Sequence, residues 1–219
     1  MNFFDEMAEI WDSRNRYDVR QIRFLLSLIP LMPGSSVLDI GTGTGVLLPF
    51  IRERIGQKGI ITAVDSSPRM LACASRRMAA DTRVRFIEAD VERDILDGKY
   101  DAIILYSVFP HLRYPTDTVK QLIRYNLKPK GFLLIAHSDS RESLNRVHER
   151  VRERVYSARL LPIQEQAERF RNAGLNVTAC DESDSFYYLV CNSTIHPSPF
   201  ASNKKAVSYT HLTLPTIRL

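Results

Sequence analysis

The chain has 219 residues, 44% of them hydrophobic and 25% charged; this balance excludes a disordered polymer and suits one domain with a single core. Thirty basic against twenty-five acidic residues leave a formal charge of +5, much of it arginine spread along amphipathic stretches such as Arg150, Arg152 and Arg154, which read as solvated surface and not as a nucleic-acid groove. No apolar run approaches the roughly 18 residues that span a bilayer, no leader pattern follows Met1, and Cys73, Cys180 and Cys191 lack paired spacing, so the expectation is a cytoplasmic protein with reduced thiols and no membrane contact.

The first thirty residues read as a helical cap, because Phe3, Met7, Ile10 and Trp11, then Ile22, Leu25, Leu26 and Ile29, recur near helical spacing up to Pro30. Residues 31–192 form the expected main domain. Pro33-Gly34 is a turn signal, and Val37 to Ile40 reads as a buried strand. Helix and strand patterns then alternate: helix 46–55, strand 60–64, helix 68–78, strand 84–87, strand 100–106, helix 116–127 and strand 132–136. Short connections between such elements predict a parallel sheet with helices on both faces. A helical period runs from Ser140 through Ala158 and again from Gln164 to Ala173, where Gly174 stops it. Leu175 to Cys180 and Phe186 to Cys191 are strand-like, and the 181–185 link is too short for a crossover helix. They predict an antiparallel hairpin at the sheet edge.

From Ser193 the chain is rich in Pro, Ser, Thr and Asn, and residues 193–219 are expected to be poorly ordered. Val207 to Thr216 reads VSYTHLTLPT, one frame of a DNA sequence that resembles a transposase mosaic end joined to a sequencing adapter. Residues 207–219 are therefore expected to be a non-native artefact, with natural coding ending near Ala206.

The chemistry sits in Val37-Leu38-Asp39-Ile40-Gly41-Thr42-Gly43-Thr44-Gly45, a glycine loop between the first strand and a helix. Glycines 41, 43 and 45 let the backbone turn tightly and approach a ligand. The spacing is GxGxG, with Val46 where a dinucleotide fingerprint wants Gly or Ala. Asp39, two residues before the first glycine, suits an ammonium group better than a pyrophosphate. Asp65 ends the second strand, where a carboxylate can accept both ribose hydroxyls, and Asp90 ends the third in Phe86-Ile87-Glu88-Ala89-Asp90.

VLDIGTGTGVL, AVDSSPRML, RFIEADVE and NLKPKGFLLIAH resemble the successive motifs of the class I S-adenosylmethionine-dependent methyltransferases, especially their small-molecule, type 11-like branch, over roughly residues 1–192. The resemblance implies a Rossmann-like, seven-stranded α/β sheet in the order 3-2-1-4-5-7-6 with only strand 7 antiparallel. It implies that Asp39, Gly41, Thr42, Gly43 and Gly45 hold the methionine end of S-adenosylmethionine and that Asp65 holds the ribose. Asp90 and Val91 would flank the adenine, with Met70 packed near it; Ser66 and Tyr106 complete the expected cofactor set, and Trp11 and Tyr17 would close over it. The signatures of relatives acting on nucleic acids, Asn/Asp-Pro-Pro-Tyr/Phe and Pro-Cys, are missing. The quinone-methylating branch is similar in its first half but departs at His137-Ser138-Asp139-Ser140. The expected activity is SN2 methyl transfer to an N, O, S or C nucleophile of a small molecule by a monomer or homodimer. The alternatives are a non-catalytic cofactor-binding module and an RNA methyltransferase using the arginine-rich helices.

In open α/β sheets ligands bind beyond the carboxyl ends of the strands. His111 follows the fourth strand, His137 ends the fifth, and His148 lies on the next helix; His196 and His211 fall in the tail. On that helix Arg141, Asn145, His148 and Arg152 form a stripe bordering the apolar stripe of Leu144, Val147, Val151 and Val155. A neutral histidine is the natural base near pH 7. His137 is the first candidate and His111 the second, with His148 and Asn145 converging on the same place. A divalent metal shared by the three imidazoles is the less favoured alternative, since no HxH or HxxxH pair is present.

Overall fold

The structure, a computed structural model, describes residues 3–15, 17–79 and 81–195. The expectations for residues 196–219, the artefact included, lie outside the described residues, as do His196 and His211. Seven strands form one sheet: β1 (Ser36–Ile40), β2 (Ile60–Asp65), β3 (Val84–Glu88), β4 (Tyr100–Tyr106), β5 (Leu127–His137), β6 (Leu175–Glu182) and β7 (Tyr187–Ile195), ordered β3-β2-β1-β4-β5-β7-β6. β7 runs antiparallel to both neighbours, and the other pairings are parallel.

Side-chain alternation along each strand sorts the core into two layers. Leu38, Ile40, Ile103, Leu105, Leu133, Ile135 and Leu189 face α6 (Pro115–Asn126) and α8 (Ile163–Asn172), which add Val119, Leu122, Ile123, Ala167 and Phe170. Val37, Ile61, Ala63, Ala102, Ile104, Leu134 and Val190 face the other way, onto α3 (Val19–Ser27), α4 (Leu48–Ile55) and α5 (Pro68–Arg77). Each buried Leu or Ile contributes about 1.5–3 kcal/mol. The strands' carboxyl ends open on one edge, where the glycine loop, Ser107 and His137 lie. No helix among the described residues is long and apolar enough to cross a membrane.

β5 begins at Leu127, five residues before the expected strand start at 132, and the structure departs from the sequence reading at four further places. The first thirty residues do not form one helix. α1 (Phe3–Met7) passes through a 3-10 turn (Ala8–Ile10) into α2 (Trp11–Arg14), and α3 is separate. The Asn15 amide donates to the Trp11 carbonyl at 2.7 Å, and the Asp18 carboxylate N-caps α3 by accepting from Arg20 N–H at 2.8 Å. The helix expected through Ala158 ends at Val151 as α7 (Arg141–Val151), so Arg152 and Val155 leave the stripe. Tertiary hydrogen bonds hold the strap that follows: Ala158 N–H donates to Pro110 O at 2.7 Å, and Asn145 binds both backbone groups of Leu160. Both hairpin strands, β6 and β7, run longer than expected, leaving 183–186 as the link. Residues 193–195, expected to be poorly ordered, belong to β7, where the Ser193 hydroxyl accepts from Lys130 N–H at 2.8 Å.

Candidate active site

The glycine loop holds its shape because three positive φ angles follow one another: Gly41 at 66°, Gly43 at 55° and Gly45 at 79°. Sterics make two of these positions strict. A Cβ on Gly41 would stand 2.5 Å from Val108 Cγ2, and one on Gly45 would stand 3.0 Å from Ala74 Cβ. At Gly43 a Cβ would meet only Gly41 O, at 4.0 Å, so this edge of the loop is open. Beneath it Asp39 is 2% exposed and accepts from the Thr42 hydroxyl at 2.7 Å. Burial, with Asp65 adding repulsion, pushes its pKa up to about 7 against the pull of Thr42. Asp65 accepts from Gly43 N–H at 2.8 Å and Ser67 N–H at 2.9 Å, which ties the first two loops together. Its pKa is raised, chiefly by burial. These oxygens retain lone pairs for further donors.

The remaining cofactor candidates are scattered about this edge. Met70 is buried at the start of α5, and its N–H donates to the capping Ser67 hydroxyl at 3.1 Å. Ser66 is exposed. Asp90 lies two residues past the end of β3, not on it, and accepts from Glu92 N–H at 3.0 Å while pairing with Arg93 at 3.3 Å. Val91 packs against the core. Tyr106, at the end of β4, is buried and its hydroxyl lies 2.5 Å from Ser138 Oγ. Next to it Ser107 holds φ at 56°, a left-handed conformation uncommon outside glycine and asparagine.

Sequence reasoning missed how the amino-terminal segment is anchored. Asp5 accepts from the Ser67 hydroxyl at 2.6 Å, Asp12 accepts from the Thr44 hydroxyl at 2.6 Å and pairs with Arg77, and Glu9 pairs with Arg76 at 2.8 Å. These contacts seat residues 5–12 across the glycine loop and along α5, from its Ser67 cap to Arg76 and Arg77 in its last turn. Trp11 meets Phe4 edge-on, with ring centroids 5.9 Å apart, and Tyr17 packs against the core. The segment also reaches the histidines: Phe4 meets His111 with centroids 5.2 Å apart, Glu6 pairs with Arg154 at 2.7 Å, and Arg154 lies over the Phe3 ring. No sequence signal announces this double attachment, because the partners lie 30 to 150 residues away.

The three histidines do come together, but in unequal states. His111 and His148 meet edge-on with centroids 5.2 Å apart, and both act electrostatically on His137. His111 Nδ1 lies 2.9 Å from the Tyr156 carbonyl oxygen, an acceptor, so Nδ1 carries the hydrogen and Nε2 the lone pair. His137 is 1% exposed, and among the described residues neither of its ring nitrogens has a hydrogen-bond partner; the buried His148 Nδ1 and Tyr187 hydroxyl have none either. Burial first, then the neighbouring imidazoles, lower His137 to about 3 and His148 to about 4, so both are neutral at pH 7. Asn145 does not join them as a free polar group. Its amide donates to Leu160 O at 3.0 Å and its carbonyl accepts from Leu160 N–H at 2.8 Å, which makes it a staple for the strap. Among the described residues no three His, Cys, Asp or Glu side chains are arranged to hold a metal ion.

Comparison with known proteins places these features. Residues 37–131 match the family described as a methyltransferase domain. The chain is 33% identical over 134 residues to a malonyl-[acyl-carrier protein] O-methyltransferase of Marinomonas sp., covering 61% of this chain and 49% of that protein. It is 28% identical over 181 residues to the ubiquinone/menaquinone biosynthesis C-methyltransferase UbiE of Azotobacter vinelandii, covering 80% and 65%. The chain thus spans about half the length of the first of these relatives. Its fold matches a solved S-adenosylmethionine-dependent methyltransferase of Aquifex aeolicus with a TM-score of 0.67, at 21% identity over 87% of this chain and 98% of that one. Residues 37–131 thus carry the match to a methyltransferase domain, and the glycine loop and strand order around them are those that the resemblance to the class I S-adenosylmethionine-dependent methyltransferases implies.

Proposed function

We propose that this protein binds S-adenosylmethionine over its glycine loop and transfers the methyl group to a small-molecule acceptor. The observation that carries the reading is the buried Asp39 carboxylate beneath the open edge at Gly43. Among the described residues its immediate influences are the Thr42 hydroxyl and the Asp65 carboxylate, with no cation beside it. A ligand ammonium group would supply the missing charge, and the donor set fits the rest of the group: Asp65 has lone pairs for ribose hydroxyls, and Met70 offers an apolar side chain toward which adenine would pack. Asp90, Val91, Ser66, Tyr106 and Trp11 would complete the contact. When bound, the cofactor supplies an electrophilic methyl on a sulfonium.

The protein's own work is then alignment and exclusion of water. The segment 3–14, fastened through Asp5, Glu9 and Asp12, would cover the cofactor. His137 would take a proton from an acceptor that carries one, with His148 and the Nε2 lone pair of His111 next in reach. A neutral imidazole suits a place beside a sulfonium, since a protonated one would repel it. The proton transfer moves one positive charge from sulfur to ring and creates no new charge in the site. Three free cysteines without paired spacing fit a reducing, cytoplasmic setting. Isothermal calorimetry tests the cofactor half directly. Binding of S-adenosylmethionine and S-adenosylhomocysteine with no response to NAD is the expected result, and tight NAD binding with no response to the other two would refute it.

A further inference from the structure

His137, His148 and Tyr187 bring four buried hydrogen-bonding atoms to the carboxyl end of β5 without a partner among the described residues: both ring nitrogens of His137, Nδ1 of His148 and the Tyr187 hydroxyl. The great majority of buried polar atoms in folded proteins are paired, so four gathered in one place mark a site built for something else to fill. The grouping is tertiary. His137 and Tyr187 face each other across the β5–β7 ladder with ring centroids 6.0 Å apart, and His148 on α7 is near enough to act electrostatically on His137. We propose that this cluster is the acceptor subsite, and that it takes an uncharged hydroxyl group carried on a small apolar body.

The chemistry of the lining sets the class. Neutral imidazoles and a phenol can both donate and accept, which is what a hydroxyl needs from its surroundings. Arg141 and Glu182, the charged side chains that act on Tyr187, are paired with each other at 2.8 Å and offer nothing to a ligand ion. A carboxylate or ammonium entering here would be buried without a counter-charge, a far larger cost than a neutral hydrogen bond returns. The body of the ligand would meet apolar surroundings, since Tyr187 belongs to the core layer with Phe109 and Leu160, against which Leu144 packs. Identifying this hydroxyl with the methyl acceptor rests on the transferase reading above; the binding itself does not. In the transfer, the acceptor oxygen forms a bond to the methyl carbon as the sulfur–methyl bond breaks. Its electron pair stays on sulfur, and the hydroxyl proton passes to a ring nitrogen of His137. Tyr187, which the sequence reading did not single out, holds the hydroxyl in line.

Four monosubstituted benzenes separate the possibilities: phenol, toluene, benzoate and benzylamine, titrated at pH 7 into the full chain carrying 15N-labelled histidine rings, with and without S-adenosylhomocysteine. Phenol is expected to shift the His137 and His148 ring resonances saturably and to bind at least about tenfold more tightly than the other three. Tyr187→Phe should weaken phenol about fivefold, one neutral hydrogen bond, and leave toluene unchanged. Because the variant removes only an unpartnered hydroxyl, its melting temperature should not fall. Equal affinity for phenol and toluene, tighter binding of either charged probe, or no shift of the histidine rings would each overturn the assignment, and the wild-type ranking decides even if the variant fails to fold. Loss of S-adenosylhomocysteine binding with phenol still bound would refute the transferase reading alone; the reverse pattern would refute this site alone.

Discussion

The two halves of the candidate site solve opposite electrostatic problems. At the cofactor end, Asp39 and Asp65 are carboxylates fixed by local hydrogen bonds and short of positive charge. At the acceptor end, His137 and His148 are held neutral by burial and short of hydrogen-bond partners. One half is prepared for a cation and the other for an uncharged polar group. On the proposed reading a sulfonium would lie between them without meeting positive charge from either half.

The contrast breaks first at the glycine loop. Gly45→Val forces a side chain into Leu48 and Ala74 at a φ of 79° and should cost about 3–5 kcal/mol. By differential scanning calorimetry the melting temperature should drop by roughly 6–20 °C. Gly43→Ala, whose Cβ has room in the loop, should lose much of the cofactor affinity while costing only about 1 kcal/mol of stability. Equal effects of the two substitutions on folding would remove the case for an open ligand edge at Gly43.

The acceptor half predicts the converse separation. His137→Ala should lower methyl transfer, measured by mass spectrometry against a metabolite pool, about a hundredfold or more. Affinity for S-adenosylhomocysteine should barely move. A parallel fall in both would mean that His137 supports the fold or the cofactor and not the acceptor.

The pH dependence of stability carries the two problems with opposite sign. His137 and His148 titrate at about 3 and about 4 in the fold against 6.5 when unfolded. The unfolded chain therefore takes up protons that the fold refuses, and stability falls as pH drops below about 6.5, by about 1.4 kcal/mol per pH unit for each group. Asp39 is raised from 3.8 to about 7, so the unfolded chain releases its proton first and stability falls as pH rises from about 4 to 7. Urea melts of Asp39→Asn should expose this: its stability relative to wild type should climb by about 1.4 kcal/mol per unit across that window. A flat difference would show that Asp39 titrates like an ordinary carboxylate.

The smallest effect belongs to the tie between the halves. Glu6→Gln removes the exposed pair with Arg154 and should cost no more than about 1 kcal/mol of stability. If stability is untouched but the rate of cofactor release rises in stopped-flow measurements, the amino-terminal segment acts as a cover. An unchanged release rate would leave it a surface contact.

The sequence by itself determined where the glycine loop and its two aspartates lie. Asp39 and the three glycines occupy seven consecutive positions, and Asp65 and Ser67 sit at the next strand-to-helix turn. Short-range backbone geometry forces a loop of that kind to one place in a parallel sheet. The strand order and the β7 hairpin followed from element lengths and from the family resemblance. The broken amino-terminal helix was legible in part, since Asn15 and Asp18 are capping residues that outweighed a continuing apolar spacing. The end of α7 at Val151 was not legible, because hydrogen bonds from Pro110 and Asn145 decide it. Nor was the acceptor half. His111, His137, His148 and Tyr187 are spread over 77 positions, and only the packing of α7 and β7 around the end of β5 removes them from water together. Burial keeps His137 and His148 neutral, and burial is a property of the closed fold that no local pattern of residues contains.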